Sequence, residues 1–142
     1  HNDTNAIVCT TNNVVRKNGS LVMGRGIAKE FKERFKYLEW NWGEIVQNIK
    51  DDGEEDYHLL VSGPRRLEHA QVYVVGLQTK RFWGEDSPID LVVKSCNRLK
   101  ELASLLNWKK VVMPKPGCGN GNLKWREVKK LINMDNRFVI TD

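Results

Sequence analysis

The residues best suited to binding chemistry lie near the end of the chain, where residues 113–125 read MPKPGCGNGNLKW. The central loop of this stretch consists of Gly117, Cys118, Gly119, Asn120 and Gly121. It follows an apolar run and precedes a helix-like one, so its backbone N–H groups can form a nest in front of a helix N-terminus. Such a nest is typical of a phosphate-binding loop, although a glycine pair beside a helix is also common as a simple turn.

A second glycine pair, Gly24 and Gly26, lies in the stretch MGRGIAKEF at the start of another helical pattern. Arg25 separates the two glycines, and Ile27 follows them. The N–H groups and the positive dipole end of such a helix attract anions, and glycine lets a phosphate approach the backbone. Two loops of this kind that face each other could hold two linked phosphates. Neither loop has the full Walker or Rossmann pattern.

The elements that must position these loops alternate between strands and helices. Apolar β-branched runs predict strands at 6–10, 57–62, 71–77, 110–113 and 137–141. Apolar residues at helical spacing predict helices at 27–38, 39–50, 89–106 and 123–133. Ser87 is the predicted N-cap of the third helix, and residues 63–70 are the predicted turn between the second and third strands. The alternation predicts an α/β fold, a mixed central sheet with helices on its faces.

Three of the predicted strands end in loops of unusual composition. TTNN follows the first strand, QTKRFWGE follows the third, and the glycine loop follows the fourth. Ligands of open α/β sheets bind beyond the carboxyl ends of the strands. If the sheet is largely parallel, these three loops meet at one edge, and we expect the ligand site there.

Composition restricts the classes of function. A length of 142 residues, with 40% hydrophobic and 29% charged content, fits one globular domain. No stretch is long and apolar enough for a membrane span, and no signal pattern is visible, so we expect a cytoplasmic protein with no membrane partner. The three cysteines form no C-x-x-C pair and share no ligand spacing with the histidines. This favours reduced thiols and argues against a zinc site, so we expect no metal and no cofactor.

The net charge of +5 favours anionic partners, although much of the charge lies on helix-like segments with interleaved acids. Other candidates for chemistry are weaker. Cys118 could be a nucleophile, but no histidine lies near it in sequence, and a small loop residue is the simpler interpretation. Trp83 is a candidate ligand-facing aromatic residue. Phe138 is a core residue by default and the candidate neighbour of an adenine ring.

Together, IVCTTNN…MGRGIAKEF early in the chain and MPKPGCGNGNLKW late resemble the macro domain, an ADP-ribose-binding α/β module. The resemblance runs from about Asn5 to the C-terminus. It looks closest to phage and bacterial members that process ADP-ribose 1″-phosphate. It also resembles the branch that contains terminal ADP-ribose protein glycohydrolase and the antitoxin that strips ADP-ribose from DNA. It implies one three-layer macro-type domain over residues 1–142, with helices on both faces of the sheet and the family's N-terminal strand missing.

The resemblance also implies roles for matching residues. Asn12 falls near the distal ribose, where it could orient water, and residues 24–27 and 117–121 form the two phosphate loops. Lys80 falls where the glycohydrolase branch carries a lysine that attacks the anomeric carbon. That lysine needs a proton-accepting partner, an aspartate in the family, and the matching position here is Gly121.

The missing aspartate leads us to expect slow or absent turnover on protein-linked ADP-ribose. Glu85 and Asp86 are the nearby carboxylates that could replace it, and Arg81 is the cation that could favour a neutral Lys80. For the family's adenine-binding aspartate, Asp3 is only a poor match.

Three functions remain open on the sequence. The first is a metal-independent hydrolase acting on ADP-ribose 1″-phosphate or on an ADP-ribosyl linkage to protein or nucleic acid. The second is a non-catalytic ADP-ribose reader with the same pocket. The third is a basic nucleic-acid-binding module. In each case we expect a monomer.

Overall fold

The computed structural model describes residues 4–141, and of Thr4 only the backbone. Asp3, considered above for the adenine, lies outside the described residues. The strands are β1 Thr4–Thr11, β2 Leu59–Leu67, β3 Ala70–Gln78, β4 Lys110–Pro114 and β5 Phe138–Thr141. The helices are α1 Gly26–Arg34, α2 Leu38–Asp51, α3 Ile89–Leu105 and α4 Trp125–Ile132, with a short 3₁₀ turn at Gly119–Gly121.

The strands form one mixed sheet in the order β2-β3-β1-β4-β5. β1 is paired in parallel with both β3 and β4, and β4 is paired in parallel with β5, whereas β2 runs antiparallel to β3. The carboxyl ends of β1, β3 and β4 therefore lie side by side at one edge of the sheet, as the sequence predicts for a largely parallel sheet.

Alternate residues of the strands face two separate cores, because successive side chains of a strand point to opposite faces of its sheet. Ala6 and Val8 of β1 pack with α3 and α4 on one face. Cys9, with Ile7 at the margin, packs with α1 and α2 on the other. The result is the predicted three-layer arrangement with helices on both faces. None of the helices described between residues 4 and 141 is long and apolar enough to cross a membrane.

The hairpin of β2 and β3 differs from the prediction. Residues 63–70 are predicted as a turn, but most of them extend β2, and only Glu68 and His69 form the turn. The pairing is irregular between Ser62 and Arg65, where Gly63 and Pro64 lie. Glycine and proline are tolerated here because β2 is an edge strand, whose outer N–H groups need no partner in the sheet.

The first predicted helix, 27–38, is in fact interrupted. α1 ends at Arg34, and α2 begins at Leu38 after Tyr37, which adopts a left-handed conformation with φ 69°. Both helices nevertheless pack against the same face of the sheet. Phe35 and Leu38, on either side of the break, are both buried in the core beneath them.

A close contact between α2 and the turn before α1 positions the first glycine loop. A Cβ atom on Gly43 of α2 would lie only 2.0 Å from the carbonyl oxygen of Gly19, so only glycine permits this approach. Beside it, the N–H of Leu21 donates to the carbonyl of Glu39 over 2.8 Å. The segment leading to Gly24 is thereby anchored to α2.

Candidate functional site

The carboxyl ends of β1, β3 and β4 enclose two adjoining cavities, of about 280 Å³ and 260 Å³. The two share the lining residues Thr10, Arg25, Thr79, Lys80 and Asn120. They are therefore the two halves of one cleft, which we call the strand-end cleft. It lies where the parallel pairing brings the three loops together.

Asn12, Lys80 and all the predicted residues of the two phosphate loops line the strand-end cleft. The first cavity is lined by Asn12, Gly24, Arg25, Lys80 and Asn120. The second is lined by Arg25, Gly26, Ile27, Lys80 and the loop residues Gly117, Cys118, Gly119, Asn120 and Gly121. The glycine loops face each other across the second cavity, and Asn12 borders the first.

The charge of the cleft suits an anion. Arg16, Arg25, Lys80 and Lys115 contribute to its lining, and no aspartate or glutamate among residues 4–141 does. Positive side chains around a concave surface raise the local concentration of an anionic ligand. Within residues 4–141 there is also no group of three or more His, Cys, Asp or Glu side chains placed to hold a metal ion.

The N-terminus of α1 supplies backbone donors to the second cavity. The helix begins at Gly26, its N-cap residue Arg25 makes no side-chain capping hydrogen bond, and its first turn contains no acid. The first N–H groups of a helix have no partner within it. An anion placed in the cavity beside Gly26 and Ile27 would satisfy them and face the positive end of the helix dipole.

The second glycine loop is closed by its own backbone. The N–H of Leu123 donates to the carbonyl of Gly117 over 2.9 Å, and Asn122 ends the 3₁₀ turn in a left-handed conformation. Leu123 and Trp125 pack partly buried against the core below. The loop is thus a folded cradle.

Lys80 joins the loop after β3 to the second glycine loop. Its Nζ donates to the carbonyl of Asn120 over 2.9 Å and to the carbonyl of Trp83 over 3.2 Å. The amine lies where the two cavities meet, since it lines both. In its neutral form, an amine that donates both hydrogens to these carbonyls still has a lone pair for a ligand.

A buried polar network holds the backbone on which Lys80 stands. The side chain of Gln78, fully buried at the end of β3, accepts hydrogen bonds from the N–H groups of Tyr57 and His58, each over 3.0 Å. Its amide donates to Asp56 over 3.1 Å and to the carbonyl of Lys80 over 3.4 Å. The end of β3 is therefore tied to the segment before β2.

Arg81 completes this network and does not act as the free cationic neighbour that we expected beside Lys80. Its guanidinium donates to both carboxylate oxygens of Asp56, over 3.0 and 2.8 Å, and lies 3.5 Å from Glu55. The hydrogen bond from Arg81 is the main cause of a lowered pKa of Asp56. The charge of Arg81 is thus already paired within the protein.

The two carboxylates proposed as substitutes for the missing aspartate are also engaged elsewhere. Glu85 accepts from the N–H groups of Arg81 and Phe82, over 2.7 and 3.1 Å. Asp86 accepts from the side-chain amide of Asn122 over 2.6 Å. Neither lines the strand-end cleft. Their hydrogen bonds stabilise the loops, and neither carboxylate lies in the cleft where the missing aspartate would be expected.

Asn12 connects the end of β1 to the first glycine loop. Its side-chain amide donates to the carbonyl of Val22 over 3.1 Å, and its side-chain oxygen accepts from the N–H of Val14 over 2.9 Å. Tyr57 donates its hydroxyl to the backbone carbonyl of Asn12. The side chain of Asn12 therefore helps to hold the first glycine loop in place. The role of Asn12 at a distal ribose stays a prediction.

The remaining sequence candidates fall in different places. Trp83 lines the first cavity with 45% of its surface exposed. Burial raises the pKa of the Cys118 thiol, which disfavours the thiolate that a nucleophile requires. Phe138 is buried in the core on the side of α3 and α4 and borders neither cavity, so it is not the expected adenine neighbour.

A family model described as the Macro domain matches residues 14–132, a range that contains both glycine loops. The chain belongs to the macro domain family. This confirms the family that the motifs indicate, and the observed sheet with its two helical layers is the fold expected of it.

Two comparisons place this macro domain among bacterial proteins. It is 28% identical over 137 residues to the DNA ADP-ribosyl glycohydrolase of Mycobacterium tuberculosis (strain ATCC 25618 / H37Rv), covering 90% of this chain and 34% of that protein. The chain spans about a third of the length of the curated relatives it matches. The solved macrodomain of Mycobacterium tuberculosis DarG superposes with a TM-score of 0.70 at 28% identity, covering 97% of this chain and 88% of that one.

A third comparison shows the fold alone. A structure of Thermosipho africanus DarTG in complex with ADP-ribose has a TM-score of 0.68 at 21% identity, covering 95% of this chain and 37% of that one. Both solved structures share the fold of this macro domain.

Several residues of the macro domain's cleft escape prediction from sequence. Thr10 and Thr79 line both cavities, and Arg16 lines the first. The parallel register pairs Thr11 with Gln78, which puts Thr10 and Thr79 at neighbouring strand ends. A prediction of that register would have found both threonines. Nothing in the local sequence marks Arg16.

Ser87, predicted as the N-cap of α3, has a different position. Pro88 is the N-cap residue, and no side chain caps the helix. The N–H of Ser87 donates to the carbonyl of Gly121 over 2.9 Å, and the residue lines the second cavity. A Cβ atom on Gly121 would lie 2.3 Å from Ser87 Oγ and 3.0 Å from its Cβ. Ser87 therefore fills the space that a side chain at position 121 needs.

We predict that Gly121→Ala lowers the free energy of unfolding by about 1–3 kcal/mol, because the added methyl group overpacks against Ser87. Ser87→Gly in the same chain should recover much of this loss. The nearest remaining atom would then be the backbone nitrogen of residue 87, at 3.8 Å. Urea unfolding of the wild type, both single variants and the double variant measures the coupling. Gly24→Ala is the matched control, since a Cβ atom there meets nothing within 4 Å. Equal losses with and without Ser87 would contradict the steric explanation.

We also predict that Asp56→Asn lowers the free energy of unfolding at neutral pH by about 1 kcal/mol, a modest value because the pair is partly exposed. The pKa of Asp56 is lowered in the folded state, so its stabilisation is present above the unfolded-state pKa near 3.8 and is lost as the pH falls through the folded-state value. The free energies of unfolding of wild type and variant should therefore converge in acid.

Asp135→Asn, in an exposed pair with Arg137, is the control. Of these two variants, only Asp56→Asn should alter the position of Lys80, because Asp56 belongs to the network that holds its backbone. A constant difference at every pH would refute the ion-pair explanation.

Proposed function

We propose that this macro domain binds ADP-ribose in the strand-end cleft and cleaves a bond at the anomeric carbon of its distal ribose. The observation that supports the proposal is the convergence of both glycine loops, Lys80 and Asn12 on one cleft. The named activity of the Mycobacterium tuberculosis relative, a DNA ADP-ribosyl glycohydrolase, supports ADP-ribosylated DNA as the macromolecular substrate.

In the proposed complex the pyrophosphate lies in the second cavity. Backbone N–H groups from the start of α1 and from the 3₁₀ turn at Gly119–Gly121 face it, and Arg25 and Lys115 provide positive charge. The distal ribose then enters the first cavity, beside Asn12 and Trp83. Because Lys80 lines both cavities, this placement brings its amine to the anomeric carbon of the ribose.

The proposed reaction uses the lone pair of Lys80. The amine forms a bond to the anomeric carbon while the bond from that carbon to its substituent breaks and the substituent leaves with the electron pair. The leaving substituent takes up the proton that the alkylated amine loses. Water then adds its hydroxyl to the anomeric carbon, the carbon–nitrogen bond breaks, and the proton of the water restores the amine of Lys80 as ADP-ribose leaves. The carbonyls of Trp83 and Asn120 orient Nζ by accepting its hydrogens, over 3.2 and 2.9 Å.

A non-catalytic reader is the second candidate function, and one observation favours it. No aspartate or glutamate among residues 4–141 lines the cleft, and Ser87 occupies the space of a side chain at Gly121. A proton that leaves the lysine therefore has no carboxylate to accept it. Binding needs no such group, so a reader could use the same cleft unchanged.

The ligand is tested by thermal shift and titration calorimetry with ADP-ribose, ADP-ribose 1″-phosphate, ATP, AMP and a short oligonucleotide. We expect ADP-ribose to raise the Tm and AMP to bind far more weakly, because both glycine loops are satisfied only by two linked phosphates. Equal shifts with AMP and ADP-ribose would refute the two-loop arrangement. A shift with the oligonucleotide alone would favour a nucleic-acid-binding module.

Gly24→Val is the matching variant for this panel. Gly24 lies on the cleft outside the left-handed region, and an added Cβ meets nothing within 4 Å, so folding should be preserved. The new side chain should block approach to the backbone and weaken ADP-ribose binding at least about tenfold, or 1.4 kcal/mol. Gly26 and Gly119 are less suitable positions, because their φ values of +55° and +68° would strain any other residue. Unchanged affinity with Gly24→Val would move the ligand elsewhere.

We predict that Lys80→Ala lowers the turnover rate by about two orders of magnitude or more, with only a small change in ADP-ribose affinity. The assays are release of ADP-ribose from an ADP-ribosylated oligonucleotide and from an ADP-ribosylated protein, and release of phosphate from ADP-ribose 1″-phosphate. Lys100→Ala is the matched control, because its Nζ also donates to a backbone carbonyl, that of Ile132, away from the cleft.

The outcomes of the Lys80 experiment separate the candidate functions. Turnover abolished by Lys80→Ala and kept by Lys100→Ala supports the hydrolase. Turnover that survives Lys80→Ala refutes the attacking role of the lysine. Tight ADP-ribose binding by the wild type without turnover of any substrate leaves the reader. Asn12→Ala, measured in parallel, tests whether Asn12 orients the water.

A further inference from the structure

The hydroxyl group of Ser87 is buried beside the strand-end cleft and has no hydrogen-bond partner among the described residues. The residue is only 4% exposed, yet it lines the second cavity. It precedes α3 and lies between two glycines of the second loop, since added Cβ atoms on Gly117 and Gly121 would both meet it. Its N–H donates to the carbonyl of Gly121, whereas its hydroxyl has no partner among residues 4–141.

A buried polar group without a partner destabilises the folded state, so each one calls for a partner such as an ordered water, an ion or a ligand. Within residues 4–141 the other buried side-chain atoms without a partner belong to Trp42, His58, Arg65, Ser95 and Trp108. None of these five lines the strand-end cleft, whereas Ser87 does. The position of Ser87 therefore points to a ligand as the missing partner.

The surroundings of Ser87 indicate the chemistry of that ligand. Arg25, Lys80 and Lys115 line the same cavity, and no carboxylate among the described residues does. A serine hydroxyl rotates to suit its acceptor and donates one hydrogen bond. The glycines beside it, Gly117 and Gly121, carry no side chains that could occupy the space next to the hydroxyl. An anionic oxygen is the acceptor that these neighbours favour.

We propose that Ser87 donates a hydrogen bond from its hydroxyl to a phosphate oxygen of the ligand in the second cavity. The inference rests on the proposed function, since it assumes an ADP-ribose ligand. The oxygen belongs either to the pyrophosphate or to a phosphate on the anomeric carbon. Both sources share the chemistry, and the choice of ligand separates them. Ser87 is thereby assigned as a binding residue, together with the steric role that keeps position 121 a glycine.

The test is Ser87→Ala, titrated calorimetrically with ADP-ribose and with ADP-ribose 1″-phosphate. We expect affinity for at least one ligand to fall about 10- to 150-fold, the range of one hydrogen bond to a charged group. The Tm of the unliganded protein should stay the same or rise, because an unsatisfied hydroxyl is removed. Ser95→Ala is the matched control, since Ser95 is a fully buried serine of α3 without a partner and away from the cleft. It should leave both affinities unchanged.

Each result decides a separate point. Weaker binding of both ligands identifies the pyrophosphate as the acceptor, and weaker binding of ADP-ribose 1″-phosphate alone identifies the phosphate on the anomeric carbon. Equal affinities of the wild type and Ser87→Ala for both ligands overturn this inference and leave the proposed function intact. A loss of affinity that accompanies a lower Tm of the unliganded protein shows a structural role and also overturns it. A wild type that binds neither ligand overturns the proposed function, and this inference with it.

Discussion

Parallel pairing of β1 with both β3 and β4 is the constraint on which the cleft depends. The register aligns Thr11 with Gln78, so Asn12 and Lys80 leave the sheet at nearly the same level. β4 ends beside them, and the second glycine loop follows it at the same edge of the sheet. If either pairing slipped by one residue, the side chains of the slipped strand would exchange faces and enter the wrong core, and the loops would separate. The two cores on opposite faces of the sheet oppose such a slip, because each requires its own set of alternate residues.

Polar contacts that no local pattern reveals then fix the shape of the cleft before any ligand arrives. Gln78 is fully buried, and its hydrogen bonds to Tyr57, His58 and Asp56 tie the end of β3 to a segment about 20 residues earlier in the chain. Lys80 extends this support across the cleft, because its amine bonds to a carbonyl of the second glycine loop. A preformed arrangement of donors lowers the ordering cost of binding.

The sequence predicts those parts of the molecule that depend on local chemistry. Apolar periodicity predicts the strands and helices, and the glycine spacing predicts both loops, all of whose predicted residues line the cleft. Prediction from the sequence fails where a contact with a residue far away in the chain determines the local structure. Gly63 and Pro64 suggest a turn, but an edge strand tolerates them. Ser87 has the sequence of an N-cap, but the carbonyl of Gly121 takes its N–H and the side chain faces the loop. Buried Gln78 resembles any polar residue at a strand end until its partners are known.

The pair of Ser87 and Gly121 has a consequence for substrate choice. It fills with a neutral hydroxyl the space that a carboxylate at position 121 would need, and no aspartate or glutamate among residues 4–141 lines the cleft. The reaction proposed above therefore finds no carboxylate there to accept a proton from Lys80. A nucleobase or protein substituent on the anomeric carbon brings little basicity of its own to replace that acceptor. A phosphate monoester does, because its second pKa is near 6 and its oxygens can take up a proton. Among the substrates proposed above, ADP-ribose 1″-phosphate therefore carries a proton acceptor of its own, whereas a nucleobase or protein linkage does not.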